Sequence, residues 1–383
     1  MLRRNLGILA IGLGFGVAAT IGCSSSSDDS GTPSGSGGSS GTGGSGPTTE
    51  GKTCESDPSA CIVPKAPDTS APTAAGTEPT TLAISKLFLG DTDRDGNASP
   101  TAWKKFGYNI DGLISAKTDK NHCKLVTGAN PSNVKPDGEG GIDNSFGANL
   151  LTIITSLAPD AAASVNDSIA AGDFTIILNL DNLEDPASKP NQNGITAALY
   201  GGAKLGTPAK FDGTDEWPVF PELLSDPSDI TTSKVKFPTS FVAGGTWLSG
   251  TKGTVSLSLS VSGFSLTLDI KSAVISMDVT GTGASAAATN GTIAGVLDTE
   301  QLITELGKVA GSFDESLCSG STFESIAQNI RQGSDIMNDG SNGDAEKTCN
   351  GISIGLGFDA AAVKLGPIAP PAEPKEDPCA SAN

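Results

Sequence analysis

The clearest pattern in the chain lies between residues 253 and 280. There Val255, Leu257, Leu259 and Val261 alternate with Ser256, Ser258 and Ser260, and Phe264, Leu266, Leu268 and Ile270 repeat the alternation after Ser262-Gly263. A period of two places every second side chain on one face of a strand, and Ser-Gly between two such runs suits a hairpin. Ile275, Met277 and Val279 supply a third strand, which predicts an antiparallel meander with one apolar and one small polar face. Phe174, Ile176, Leu178 and Leu180 read as a further strand, as do Ile352, Ile354, Leu356 and Phe358, which alternate with Ser353, Gly355 and Gly357.

Helical spacing interrupts the strands in four places. Leu150, Leu151, Ile153, Ile154 and Leu157 follow Asp143-Asn144-Ser145, a cluster able to cap a helix, and Pro159 closes that run. Residues 161 to 171 predict a second helix that stops at Gly172. Asp298 with Gln301 opens a third, with Leu302, Ile303, Leu306 and Val309 on one face, and Ser321 with Glu324 opens a fourth, with Phe323, Ile326, Ala327 and Ile330. Gly311 and Gly333 are suitable stops. The fold class is therefore mainly β with accessory helices (α+β), as an antiparallel β-sandwich or a partly open β-barrel. The strands lack the length and aromatic girdles of outer-membrane strands.

Upstream of this pattern the chain changes character. Arg3 and Arg4 precede an apolar run from Leu6 to Ala19, which is too short to span a bilayer and reads as a signal peptide over residues 1–22. The Gly22-Cys23 step at its end resembles the lipobox of bacterial lipoproteins, with Thr20 where that pattern has Leu. The resemblance implies lipidation of Cys23 and a membrane partner reached through acyl chains, each buried methylene contributing about 0.8 kcal/mol. It implies a cell-envelope location, at the outer membrane or cell surface of a Gram-negative bacterium. Residues 23–81 are rich in Ser, Gly, Thr and Pro and read as a tether. Asp- and Gly-rich loops with helices follow over 82–172 and the β-rich region over 173–367, expected to form one unit, with a tail over 368–383.

Charge and cysteines narrow the picture. A formal net charge of −19 disfavours phosphate backbones, so nucleic acid is not an expected partner. Seven cysteines become an even set once Cys23 carries lipid, and an exported chain forms disulfides. Cys318 with Cys349 is the expected pair, because they flank one helix-and-loop segment, and Cys54 with Cys61 is the next. His122 is the single histidine, which leaves a serine or cysteine hydrolase one candidate base and excludes histidine-rich metal sites.

The sharpest motif is Asp91-Thr92-Asp93-Arg94-Asp95-Gly96-Asn97. It resembles the opening of the calcium loops of EF-hand and dockerin modules. That resemblance implies Ca2+ held by Asp91, Asp93 and Asp95 through side chains and by Asn97 through its carbonyl. Ala102 stands where the bidentate Glu belongs, so Asp111, Asp137 and Asp143 from the next loops are the acids that could complete the site. The competing reading is a solvated turn whose aspartates bond main-chain N–H groups. Tyr108-Asn109-Ile110-Asp111-Gly112, GIDNSFG at 141–147 and, more weakly, GISIGLGF at 351–358 resemble secreted lipoproteins of myxobacteria and their relatives, a group that implies location and a shared fold and no reaction.

The function expected from these features is a non-catalytic, lipid-anchored envelope protein that binds a glycan or protein ligand or serves a structural role. A carboxylate-dependent glycan hydrolase is the first alternative, since that chemistry needs only two close acids. A lipid-carrying half-barrel is the second. Trp217 to Pro221 and Phe241 to Trp247 offer aromatic surface, for which core packing is the simpler role.

Overall fold

The computed structural model describes residues 52–53, 65–116, 119, 122–129, 135–157, 159–250, 252–261, 264–313, 317–318, 321–342 and 344–371. All belong to one unit, Pro47–Asn383. Residues 1–22, read as a signal peptide, Cys23, Cys54, Cys61, Ser262-Gly263, read as a hairpin turn, and residues 372–383 lie outside the described residues.

The strands form a ring. Those that build it are β1 (Thr80–Phe88), β2 (Thr175–Asp181), β3 (Gln192–Gly202), β5 (Val235–Ala243), β6 (Thr246–Leu248), β8 (Phe264–Thr280), β9 (Ala287–Asp298) and β10 (Gly351–Ala362). Their order around the wall is β3-β2-β1-β10-β9-β8-β6-β5, and pairing of β5 back onto β3 closes an eight-stranded antiparallel barrel. The barrel expected to be partly open is thus closed. Three further strands extend this sheet: β4 (Glu216–Val219) on β3, β11 (Lys364–Ile368) parallel to β4, and β7 (Gly253–Val261) on β8; a separate two-stranded sheet pairs Lys52–Thr53 with Leu113–Ile114. The two sequence regions 82–172 and 173–367 share this sheet, since β1 sits between β2 and β10. Residues assigned to the tether also touch it: Thr73 bridges to Asn193, Gly76 N–H donates to Asn182 O at 2.9 Å, and Ala74 is buried.

Closure requires strong coiling, and bulges supply it. The β3–β5 ladder shifts register twice, between Gln192 and Ile195 and between Ile195 and Ala197, and the β8–β9 ladder shifts between Lys271 and Val274. The second bulge corrects one expectation. Ile275, Met277 and Val279 are not a third strand of a meander but the continuation of β8 beyond Ser272, whose φ of +49° bends the strand without reversing it.

The inward face of the wall carries the regular alternation. Leu82 and Ile84 of β1, Ile293 and Leu297 of β9, and Ile352, Ile354, Leu356 and Phe358 of β10 all lie in one apolar cluster. Buried residues of the four helices join it: Leu151 of α1 (Leu151–Leu157), Val165 and Ile169 of α2 (Ala161–Ala171), Leu302 and Ile303 of α3 (Thr299–Phe313), and Ala327 and Ile330 of α4 (Ser321–Arg331). Helix α2 ends on left-handed Gly172 as the sequence predicts, and Asp298 Oδ1 accepts from Gln301 N–H at 3.1 Å to start α3. Helix α3 runs through Gly311 to Phe313, so that glycine is no stop. Among the described residues no single helix is long and apolar enough to cross a membrane.

Both faces of β10 are buried, and this positions the site. Its outward residues, Ser353, Gly355 and Gly357, lie beneath the loops of residues 101–147. A Cβ on Gly355 would fall on the carbonyl oxygen of Phe106, and one on Gly357 would strike the Phe106 ring. Glycine at alternate positions therefore lets a second layer of main chain rest directly on the barrel wall.

Candidate functional site

The second layer is a knot of three segments, residues 108–115, 135–149 and 333–353, held by side chains that grip main-chain groups. Asn144 sits at its centre and is fully buried. Its Nδ2 donates to the carbonyls of Trp103, Phe106 and Gly355 at 3.1, 2.9 and 2.9 Å, and its Oδ1 accepts from Gly147 and Gly355 N–H at 2.9 and 3.1 Å. One asparagine thus caps the helical turn that starts at Phe146 and pins it to β10. Ser145 N–H donates to Ser353 Oγ at 2.8 Å, and Ser145 Oγ donates to Gly333 O at 2.6 Å. The segments 108–112, 141–147 and 351–358, widely separated in sequence, are neighbours here.

Four carboxyl groups ring this asparagine-serine centre. Asp143 Oδ2 accepts from Ile110 and Asp111 N–H at 2.6 and 3.3 Å, so Asp143 turns away from the helix it was expected to cap. Asp111 accepts from Leu113 N–H at 2.7 Å and from Asn342 Nδ2 at 2.9 Å. Asp137 accepts from Ser115 N–H at 2.5 Å. Asp335 accepts from both the N–H and the hydroxyl of Ser353.

Burial pushes all four upward. Asp137 is raised to about 8 by desolvation, reinforced by the charges of Asp111, Asp335 and Asp119. Asp335 is raised to about 7 by desolvation, with Asp111 adding to it and the Ser353 hydrogen bonds opposing it. Desolvation also raises Asp111 and carries Asp143 well above the ordinary range, with Asp111, Asp137 and Asp335 repelling it further. Four carboxylates cannot all ionise in one half-dry volume, so the knot keeps protons near neutral pH. Asp335 is absent from the residues singled out in the sequence, because it follows α4 in a loop without a motif.

Asp91 to Asn97 lie elsewhere, in a tight turn on the outer wall. Thr92 bridges to Ala98, Asp93 N–H donates to Asn97 O at 2.9 Å, and the Asp93 carboxylate accepts from Asn97 N–H and Nδ2 at 2.8 and 3.2 Å. These bonds, the main-chain one first, hold Asp93 below its ordinary value. The residue that fixes the turn to the barrel is Arg94. Its guanidinium lies 5.0 Å from the Phe106 ring centre and 5.9 Å from that of Phe88, and Nη2 donates to Gly291 O at 3.0 Å. The Asp93 carboxylate thus bonds the main-chain and side-chain N–H groups of its own turn. Among the described residues no group of three or more His, Cys, Asp or Glu side chains is disposed to hold a metal ion. Asp111, Asp137 and Asp143, the acids expected to complete a calcium site, lie in the knot and accept from main-chain N–H groups.

The disulfide also departs from expectation. Cys349 bonds to Cys123 across 226 residues, not to Cys318, and Cys318 is itself disulfide-bonded. The reason is the strand entry: Cys349 lies just before β10, where residues 123–124 run alongside, with Lys124 N–H on Lys347 O at 2.6 Å and Cys349 N–H on Lys124 O at 2.8 Å. His122 is spent in the same corner, its two ring nitrogens 2.8 Å from Cys123 O and 2.6 Å from Asp119 O. Trp217 and Trp247 are fully buried, Trp217 Nε1 donating to Ala203 O at 2.6 Å and Trp247 packing edge-on to Phe237. They are core residues.

No protein family, curated protein or solved structure matches this chain.

Proposed function

We propose that this is a lipid-anchored cell-envelope protein, held by Cys23 at the outer membrane or cell surface, whose barrel serves as a binding or structural module for a glycan or protein partner. One observation supports the non-catalytic part: the knot aspartates and His122 are held in hydrogen bonds within the fold, most of them to main-chain groups. Such a layer makes a surface rigid and offers a partner shape more than reactivity. The anchor rests on the signal run, the Gly22-Cys23 step and the Ser/Gly tether. Fractionation of cells that express the full chain tests it. The wild type should stay with membranes through a high-salt wash and leave with detergent, whereas Cys23→Ser should be soluble. A Cys23→Ser protein that still sediments with washed membranes would remove the anchor.

Calcium stabilisation belongs to this reading only as a rearranged knot in which the ion replaces protons. Adding millimolar calcium should then raise the melting temperature, and an unchanged value removes the ion.

A second reading, the glycan hydrolase, draws on Asp137 and Asp335. Both are half-buried carboxyls lifted to about 8 and about 7, a range suited to a general acid. Release of reducing ends from cell-wall glycan, lost in Asp137→Asn, would favour it over a passive module. The lipid-carrying reading is the weakest of the three, because wall and helices contribute to one contiguous apolar cluster.

A further inference from the structure

Lys135 and Asn149 bracket the central segment of the knot, and their side chains meet. Lys135 Nζ donates to Asn149 Oδ1 at 3.3 Å. The Asn149 amide has a defined orientation. Its Nδ2 donates to Ser145 Oγ at 2.9 Å, and that hydroxyl gives its own proton to Gly333 O, so the amide oxygen is the atom that faces the amine. A carboxyl belongs to the same network: Asp335 accepts from the Ser353 hydroxyl, whose oxygen in turn accepts from Ser145 N–H. An amine held against an oriented carboxamide brings together the two partners of an amide exchange.

We propose that Lys135 and Asn149 form an intramolecular isopeptide bond, with Asp335 relaying the proton. Lys135 Nζ attacks Asn149 Cγ, and the Nζ–Cγ bond forms. Asp335, freed from Ser353, takes the proton released by Nζ and passes it to Nδ2. The Cγ–Nδ2 bond breaks and ammonia leaves, with Asp335 restored. Nothing is oxidised or reduced, and no co-reactant is consumed. Partial burial supports the step, since it lowers the tendency of Lys135 to hold its proton and raises that of Asp335. The product is a covalent loop over residues 135–149, closed around Asp137, Asp143 and Asn144. An exported protein that lives outside the reach of intracellular repair gains from such a closure, because it confines the unfolded chain as a disulfide does.

Peptide mapping of the purified full chain tests the bond directly. An endoproteinase that cleaves before Asp cuts at Asp137 and Asp143, between the two partners. The expected product is a branched peptide that joins the Lys135 and Asn149 fragments and is lighter than their sum by one ammonia. Lys135→Arg and Asn149→Ala should each give linear fragments, and Asp335→Asn should do so while Lys135 and Asn149 remain in place. Linear fragments alone from the folded wild type would overturn the proposal, and this result needs no variant to fold. A branched peptide that persists at full yield in Asp335→Asn would overturn the assignment of the proton relay.

Discussion

Two acidic, glycine-punctuated regions rest on the same barrel and behave in opposite ways. In the turn at Asp91–Asn97 the carboxylates face solvent, and Asp93 is held below its ordinary value by the Asn97 N–H groups. In the knot the same residue type is pushed upward by desolvation and crowding, to about 8 at Asp137. The residues alone do not make this difference. Asn144 and the side-chain-free positions Gly355 and Gly357 let the knot's main chain lie flat on β10, so water is excluded there and not at the turn. Proximity to a bare strand face thus decides whether an aspartate is a solvated cap or a desolvated, proton-sharing staple.

The hardest way to break this contrast is to remove the centre of the knot. Asn144→Ala deletes five hydrogen-bond contacts and strands the Gly355 N–H and several carbonyls in a buried layer. Left unsatisfied, such groups cost about 1–3 kcal/mol each, so a loss on the order of 4 kcal/mol is expected, or failure to accumulate folded protein. Denaturant melts measure it. A change within experimental error would mean that the knot is not packed on the wall as described.

The next test is pH. An aspartate that ionises near 8 or 7 in the fold and near its ordinary value when unfolded holds more protons in the native state between those limits. The stability it contributes is complete below about pH 4 and is lost as pH rises through the folded values. The melting temperature should therefore fall by several degrees between about pH 5.5 and about pH 8.5, and Asp137→Asn should flatten the slope. A melting temperature that climbs over this window would show that the knot carboxyls ionise freely.

The elements were legible where the cause is local. The α2 boundaries, the Asp298 start of α3 and the inward alternation of β10 each follow from a few adjacent residues. Closure was not, because it depends on β5 meeting β3 through two bulges that leave no mark in the hydrophobic pattern. The bulge at Ser272 read as a strand break for the same reason. Of the knot, Asp111, Asp137 and Asp143 stood out as acids in glycine-rich loops, although the likeness to a calcium loop grouped them with Asp91–Asn97, which lies elsewhere on the barrel. The fourth carboxyl, Asp335, and Cys349 both come from the segment after α4, and sequence nearness favoured Cys318 over the distant Cys123 as the partner of Cys349. The alternation of Ser353, Gly355 and Gly357 with apolar residues marked a strand, but did not show that their small size admits a second buried layer.

The smallest expected effect belongs to the motif that looks most functional. Asp93→Ala removes the carboxylate that accepts from Asn97 in a partly exposed turn, while Arg94 keeps its contacts with Gly291, Phe88 and Phe106. Solvent can replace the lost hydrogen bonds, so the melting temperature should move by no more than about 2 °C, and any response to added calcium should be unchanged. Arg94→Ala sharpens the comparison, since it takes away the group that docks the turn while leaving all three aspartates in place. Its effect should exceed that of Asp93→Ala and still fall short of Asn144→Ala. If instead Asp93→Ala abolished a calcium-dependent rise in melting temperature, the turn would be the ligand site and the knot only its neighbour, reversing the roles assigned to the two acidic regions.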